Sequence, residues 1–161
     1  MNPLTFTLYG DPRSKKNSQR PVPITDKRTG KTYTKLLPSA AFEKYEKDCI
    51  RQITGDKKRD ISQPVNVCCT YYMQTVRAVD LVNLQEGTLD LLVHAGVLHD
   101  DNRNIVASMD GSRVLYDKRN PRVEITITDA EESYTQWDTK KGVKSRESLL
   151  DHLPGAAHKG R

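Results

Sequence analysis

At 161 residues, 35% of them hydrophobic and 29% charged, the chain has the length of one ordinary domain with a modest core and a heavily charged surface. No apolar run reaches the roughly eighteen residues that a membrane-spanning helix needs, and the opening MNPLTFTLYGDP turns polar too soon for a secretory signal. Three cysteines, with Cys68 and Cys69 adjacent, make a poor disulfide framework and point to a reducing cytoplasm.

LTFTLYG, Leu4 to Gly10, alternates apolar and threonine positions and predicts a half-buried strand ended by Gly10 and Pro12. The next segment holds much of the formal net charge of +5. Residues 1 to 35 carry eight Lys or Arg against Asp11 and Asp26 alone. Such an excess gives affinity for polyanions without specifying an activity. Residues 11 to 38 show little periodicity. They are read either as a short hairpin around RTGK, from which Tyr33 and Leu36 pack back, or as an ordered or semi-ordered loop.

PSAAFEKYEKDCIRQI predicts a helix capped by Ser39, with Phe42, Tyr45, Cys49 and Ile53 on its apolar face. VNVCCTYYMQT, Val65 to Thr75, is rich in strand formers and belongs in the centre of a sheet. A second helix runs from near Asp80 to Gly96 and buries Leu81, Leu84, Thr88, Leu91, Leu92 and Ala95. Gly87 weakens it by about 1 kcal/mol relative to Ala, which calls for a close packing contact there. Gly96 is a helix stop, after which Val97 and Leu98 turn back into the core. NIVASMDGSRVLYD predicts a hairpin with Asp110-Gly111 at its turn. PRVEITIT predicts a final strand with Val123, Ile125 and Ile127 inward. The whole is one α/β (α+β) domain over residues 1–130, a small mixed sheet with two main helices on one face. Residues 131–161 add a short helix through AEESYTQW and a flexible basic tail.

The most helix-like segment has carboxylates at both ends: Asp80 before it, and Asp100 and Asp101 after it. Two readings follow. Asp80 caps the helix by accepting from the Asn83 amide while Asp100-Asp101-Asn102 forms a surface turn. Alternatively, the acids converge as oxygen ligands for Mg²⁺ or Mn²⁺, which can orient a hydrolytic water and stabilise phosphate charge. The four histidines lack zinc-protease spacing, the cysteines lack a second pair, and no Walker loop or dinucleotide fingerprint occurs, which leaves no nucleotide cofactor. Tyr71 and Tyr72 face opposite sides of a strand, a poor start for a base-stacking platform.

Three blocks resemble the RusA family of endodeoxyribonucleases, dimeric Holliday-junction resolvases of phages and prophages. They are GDPRSKKNSQR after the first strand, VDLVNLQEGTLDLLVHAGVLHDD with its Asp-x-Asp-Asn-Leu-like step and Asp-Asp pair, and the closing RVEITIT. The resemblance implies a metal-dependent nuclease that cuts branched DNA symmetrically as a homodimer, in a bacterial or phage-infected cytoplasm. It implies catalytic aspartates at Asp80 and Asp101, with Asp100 beside them at the Mg²⁺ or Mn²⁺ site, and DNA contacts from Arg13, Lys15, Lys16, Asn17 and Arg20. Asn83 and Leu84 match the Asn-Leu step and Asp90 an acidic position later in the helix.

Two positions depart from the family pattern. Val82 stands where the motif has its second aspartate, and Glu86 where it has a lysine. Glu86 lies one turn after Val82 on the same helix face, so its longer side chain is positioned to return a catalytic, metal-binding carboxylate. Lys16 or Lys118 then restores the lost positive charge. The alternative is a catalytically weak or inactive branched-DNA-binding protein on the same fold.

Overall fold

A computed structural model describes residues 1–16 and 19–131. Its elements, in chain order, are β1 (Leu4–Tyr9), β2 (Arg20–Thr25), β3 (Thr32–Leu37), α1 (Ala40–Gln52), a 3₁₀ turn at Gly55–Lys57, β4 (Val65–Met73), α2 (Leu81–His94), β5 (Val106–Ser108), β6 (Arg113–Tyr116) and β7 (Arg122–Asp129). The C-terminal helix and tail expected over 131–161 fall beyond Glu131, outside the described residues.

Alternation along β1 and β7 fills the core as the sequence predicts. Leu4, Phe6 and Leu8 are buried from β1, and Val123, Ile125 and Ile127 from β7. β1 pairs antiparallel with β7, and β7 antiparallel with β4 along eight residue pairs. β4 therefore lies inside the sheet, with β5 and β6 on its other side. Both of these pair parallel to it, so the sheet is mixed, and the two main helices pack on one face of it.

The hairpin expected around Asp110-Gly111 does not form. β5 and β6 run in the same direction along β4 and make one interrupted edge strand. Between Val106 and Arg113 this edge has two residues more than β4 has between their partners Val65 and Thr70. The surplus bulges at Met109–Ser112, and β4 fixes it. The Asn66 amide accepts from Asp110 N at 2.8 Å and from Ser108 Oγ at 2.7 Å, and Ser112 Oγ accepts from Cys69 N at 3.0 Å. Gly111 has φ +83, and a Cβ there would stand 3.2 Å from Cys68 Sγ. The Asp-Gly pair thus marks a left-handed residue correctly, but in a bulge instead of a turn.

A second correction concerns β2 and β3. They form a separate two-stranded sheet with six paired residues on each strand, far longer than a turn around RTGK. Tyr33 and Leu36 are 53% and 61% exposed instead of packing back. No main-sheet strand pairs with this hairpin, which stands as a sheet of its own.

The helices follow the sequence closely. Ser39 Oγ accepts from Phe42 N at 3.1 Å, which satisfies one free donor of α1. Phe42, Cys49 and Ile53 are buried. On α2, Leu84, Gly87, Thr88, Leu91 and Leu92 face inward, and Ala95, at its C-cap, is buried beside them. Tyr71 Oη and Thr88 Oγ1 lie 3.0 Å apart, and Thr88 Oγ1 donates onward to Leu84 O at 2.9 Å. Burial pushes the Cys69 thiol up to about 12 and the Cys49 thiol up to about 11. Both behave as core residues rather than reactive thiols.

Candidate nucleic-acid interface and acidic site

Helix α2 presents Val82, Glu86 and Asp90 at successive i, i+4 positions, so the three form one stripe on its outer side. Val82 is 66% exposed, an apolar residue with no core to enter. The basic loop after β1 runs across this helix. It leaves the strand through Gly10, at φ +128, and passes so close to Gly87 that Arg13 O lies 3.6 Å from where a Cβ on that glycine would be. The same point meets Phe42 Cε2 of α1 at 3.0 Å. Gly87 is thus the close contact that its low helix propensity calls for.

From this crossing, Lys15 Nζ reaches Asp90 Oδ2 at 2.6 Å and Lys16 Nζ reaches Glu86 Oε2 at 2.7 Å. The Asp90 hydrogen bond raises the Lys15 pKa, against the opposing effect of burial, and Glu46 and Glu86 add to the rise. Arg13 Nη2 pairs with Asp11 at 2.8 Å, and Asp11 also accepts from Gln74 N. Arg20 bonds both carboxylate oxygens of Glu43 at 3.2 Å. Each described cation expected to touch DNA therefore already holds a carboxylate of its own chain. Asn17 lies outside the described residues.

Asp80 is the α2 N-cap. Its Oδ1 accepts from Val82 N and its Oδ2 from the Asn83 side chain, both at 3.0 Å. Asn83 thus contributes its side-chain amide, while Val82 supplies the backbone donor. After the helix, Asp100 accepts from Asn102 Nδ2 at 2.6 Å and from Asp101 N at 2.7 Å. These bonds hold its carboxyl below the ordinary value, the Asn102 bond most strongly. Asp101 shifts the other way: partial burial raises it first, then its bond with Asp100 and the charges of Asp90 and Asp100. Asp101 therefore shares a negative field with Asp90 on the helix stripe.

Carboxylates suit Mg²⁺ or Mn²⁺ by type. Yet among the described residues no three Asp, Glu, His or Cys side chains gather closely enough to hold an ion. Asp80, Glu86, Asp100 and Asp101 are not assembled into one ligand group. A Mg²⁺ ion held by one or two carboxylates, with water and substrate phosphate completing its shell, needs no such group.

A cleft of about 130 Å³ opens beside Asp80, where the basic loop meets the starts of both helices. Arg13, Ser14, Ser39, Arg77 and Asp80 are among its lining residues. The sequence signal for Arg77 is only an arginine three residues before a capping aspartate. Arg77 joins Arg13 and Asp80 in the lining of this cleft.

A family profile described as Endodeoxyribonuclease RusA matches residues 17–128. The chain belongs to the RusA family. The matched span contains α2, both of its flanking acidic positions, and β7 up to Thr128. It begins after Lys16, so most of the block GDPRSKKNSQR lies outside it. Among curated proteins no relative matched. Among the described residues no helix is long and apolar enough to cross a membrane.

Proposed function

We propose that this RusA-family chain is a metal-dependent, structure-selective endodeoxyribonuclease that resolves four-way DNA junctions by phosphodiester hydrolysis. The observation that supports this reading is the family match over residues 17–128, a span that includes Asp80 and Asp101. Asp80, Asp101, Glu86 and Asp100 are the proposed ligands for Mg²⁺ or Mn²⁺.

The chain's own charges have clearer parts in this proposal. Arg13 and Arg77 hold a phosphate in the cleft beside Asp80. Lys16 faces the strand and offsets charge developing on the reacting phosphate. Lys15, anchored on Asp90, positions the loop that carries Lys16. Backbone contacts of this kind favour DNA shape over base sequence. Cutting two opposed strands requires two sites, which a symmetric homodimer supplies. The proposed setting is the cytoplasm of a bacterium or a phage-infected cell.

A second reading rests on a specific observation. Val82 replaces a motif carboxylate and lies exposed, while Glu86 is neutralised by Lys16. That arrangement suits a catalytically weak or inactive protein that still binds branched DNA. The two readings separate on a labelled four-way junction and a matched linear duplex, each in Mg²⁺, Mn²⁺ or EDTA. Paired, metal-dependent nicks that vanish in Asp101→Asn support the nuclease, and Glu86→Gln then tests the substitute ligand. Tight junction binding without cleavage in either metal supports the second reading.

A further inference from the structure

The β2–β3 hairpin takes no part in the acidic site and forms a sheet of its own, apart from the main one. Six residues per strand make a ribbon about 20 Å long, and an isolated hairpin of this kind is marginal in water without a partner. Its turn is nevertheless tightly built. Asp26 N donates to Lys31 O at 2.9 Å, Gly30 N donates to Asp26 O at 2.8 Å, and the Asp26 carboxylate accepts from Arg28 N at 2.8 Å. The tip therefore presents Lys27, Arg28 and Lys31 from a fixed backbone. Lys35 follows along β3, directly opposite Val22 in the register.

All four of these cations are exposed, and among the described residues none forms a side-chain ion pair. The contrast with Arg13, Lys15, Lys16 and Arg20 is direct, because each of those is satisfied within the chain. The only acid on the hairpin, Asp26, is engaged by its own turn.

Two features decide the class of partner. Pro21 and Pro23 lack N–H groups and lie two apart on β2, so that strand's outer edge is a poor template for adding a strand from another chain. The remaining attraction is electrostatic, towards a polyanion. The major groove of duplex DNA is about 12 Å wide and admits a two-stranded β-ribbon.

We infer that the β2–β3 hairpin is a DNA-docking arm, separate from the acidic site, which lies along a duplex arm of branched DNA with Lys27, Arg28, Lys31 and Lys35 on its phosphates. This inference rests on the proposed DNA substrate and adds a contact that the loop at residues 13–20 does not make.

The test is fluorescence anisotropy of the full chain on a labelled four-way junction and on linear duplex, in EDTA, across a salt series. The combined Lys27→Gln, Arg28→Gln, Lys31→Gln, Lys35→Gln variant is compared with wild type and with Lys27→Arg, Lys31→Arg, Lys35→Arg. Each lost phosphate contact lowers the slope of log affinity against log salt by about 0.9, so the glutamine variant is expected to lose about 3 to 4 and the arginine variant almost nothing. An unchanged slope overturns the arm while leaving the wild-type DNA reading intact. Absence of salt-dependent binding by wild type overturns both. If the glutamine variant loses its oligomeric state in sedimentation and keeps its slope, the arm serves a second copy and the inference fails. If that variant melts early, Arg28→Gln alone is measured, with a slope loss of about 0.9 expected and no loss counting against the arm.

Discussion

Replacing Gly87 with alanine sets two known effects against each other at one atom. In an exposed helix interior the change stabilises by about 1 kcal/mol, because alanine loses less backbone freedom on folding. Here the new methyl would stand 3.0 Å from Phe42 Cε2 and 3.5 Å from Cζ. Phe42 is 1% exposed, so its ring has no solvent to move into. Overpacking of this sort costs about 1 to 3 kcal/mol. The contact outweighs propensity, and Gly87→Ala is expected to destabilise by about 1 kcal/mol. The assay is urea unfolding, read as a lower midpoint at unchanged slope. Phe42→Leu supplies the internal check, since removing the ring atoms should make Gly87→Ala neutral or stabilising in that background. A single Gly87→Ala variant that gains about 1 kcal/mol would show that the helices are not held at this distance, and the reasoning would fail. There is also a functional consequence. Any shift of α2 away from Phe42 moves Glu86 and Asp90 relative to the loop that bears Lys16 and Lys15.

Capping and chemistry at Asp80 are separable. Asp80→Asn keeps an N-cap acceptor and should melt within a few degrees of wild type while losing junction cleavage, whereas Asp80→Ala should also lose about 1 kcal/mol of stability. Asp101 has a folded-state pKa above the unfolded one, so its contribution favours the fold at acid pH and is lost as pH rises from the ordinary carboxylate value, about 3.9, through the raised value. Asp101→Asn should therefore raise the melting temperature at neutral pH and leave it unchanged below that window. Asp100, held low by Asn102, titrates in the opposite sense, and Asp100→Asn should lower neutral-pH stability. Lys15→Met strands Asp90 beside Asp101 and is expected to cost about 1 kcal/mol by urea unfolding. Lys16→Met, from a more exposed pair, should leave stability within about 0.5 kcal/mol and weaken junction affinity.

Local signals carried far where the partner was local. Ser39 and Asp80 are caps, Gly96 stops α2, and the alternation of β1 and β7 fixes which residues face the core. The failures share one cause, a partner distant in sequence. The Asp-Gly step demands a positive φ in a turn and in a bulge alike, and the choice is made by Asn66, on β4, more than forty residues earlier. Tyr33 and Leu36 read as core residues because the sequence does not reveal that the hairpin pairs with no strand of the main sheet. At the site, the Val82–Glu86–Asp90 stripe follows from helical spacing alone. The lysines that neutralise it do not, since their reach depends on the loop crossing α2 at the one residue without a side chain.

Those neutralised pairs bear directly on how a basic loop can be ordered and still meet DNA. An exposed lysine–carboxylate pair contributes only about 0 to 1 kcal/mol, because water and salt already solvate both charges. A lysine–phosphate contact on duplex DNA also gains from release of condensed counterions. Under the proposed function, exchange of Glu86 for a phosphate at Lys16 is therefore favoured. The groups of the Lys15–Asp90 contact are less exposed, so it is the one that resists exchange. The loop would keep its anchor while its tip changes partners. Once Lys16 turns to the strand, the Glu86 carboxylate is left unpaired in the negative field of the site. Under the proposed function, DNA binding and cation uptake at Glu86 then favour one another, since each supplies the charge that the other leaves unbalanced.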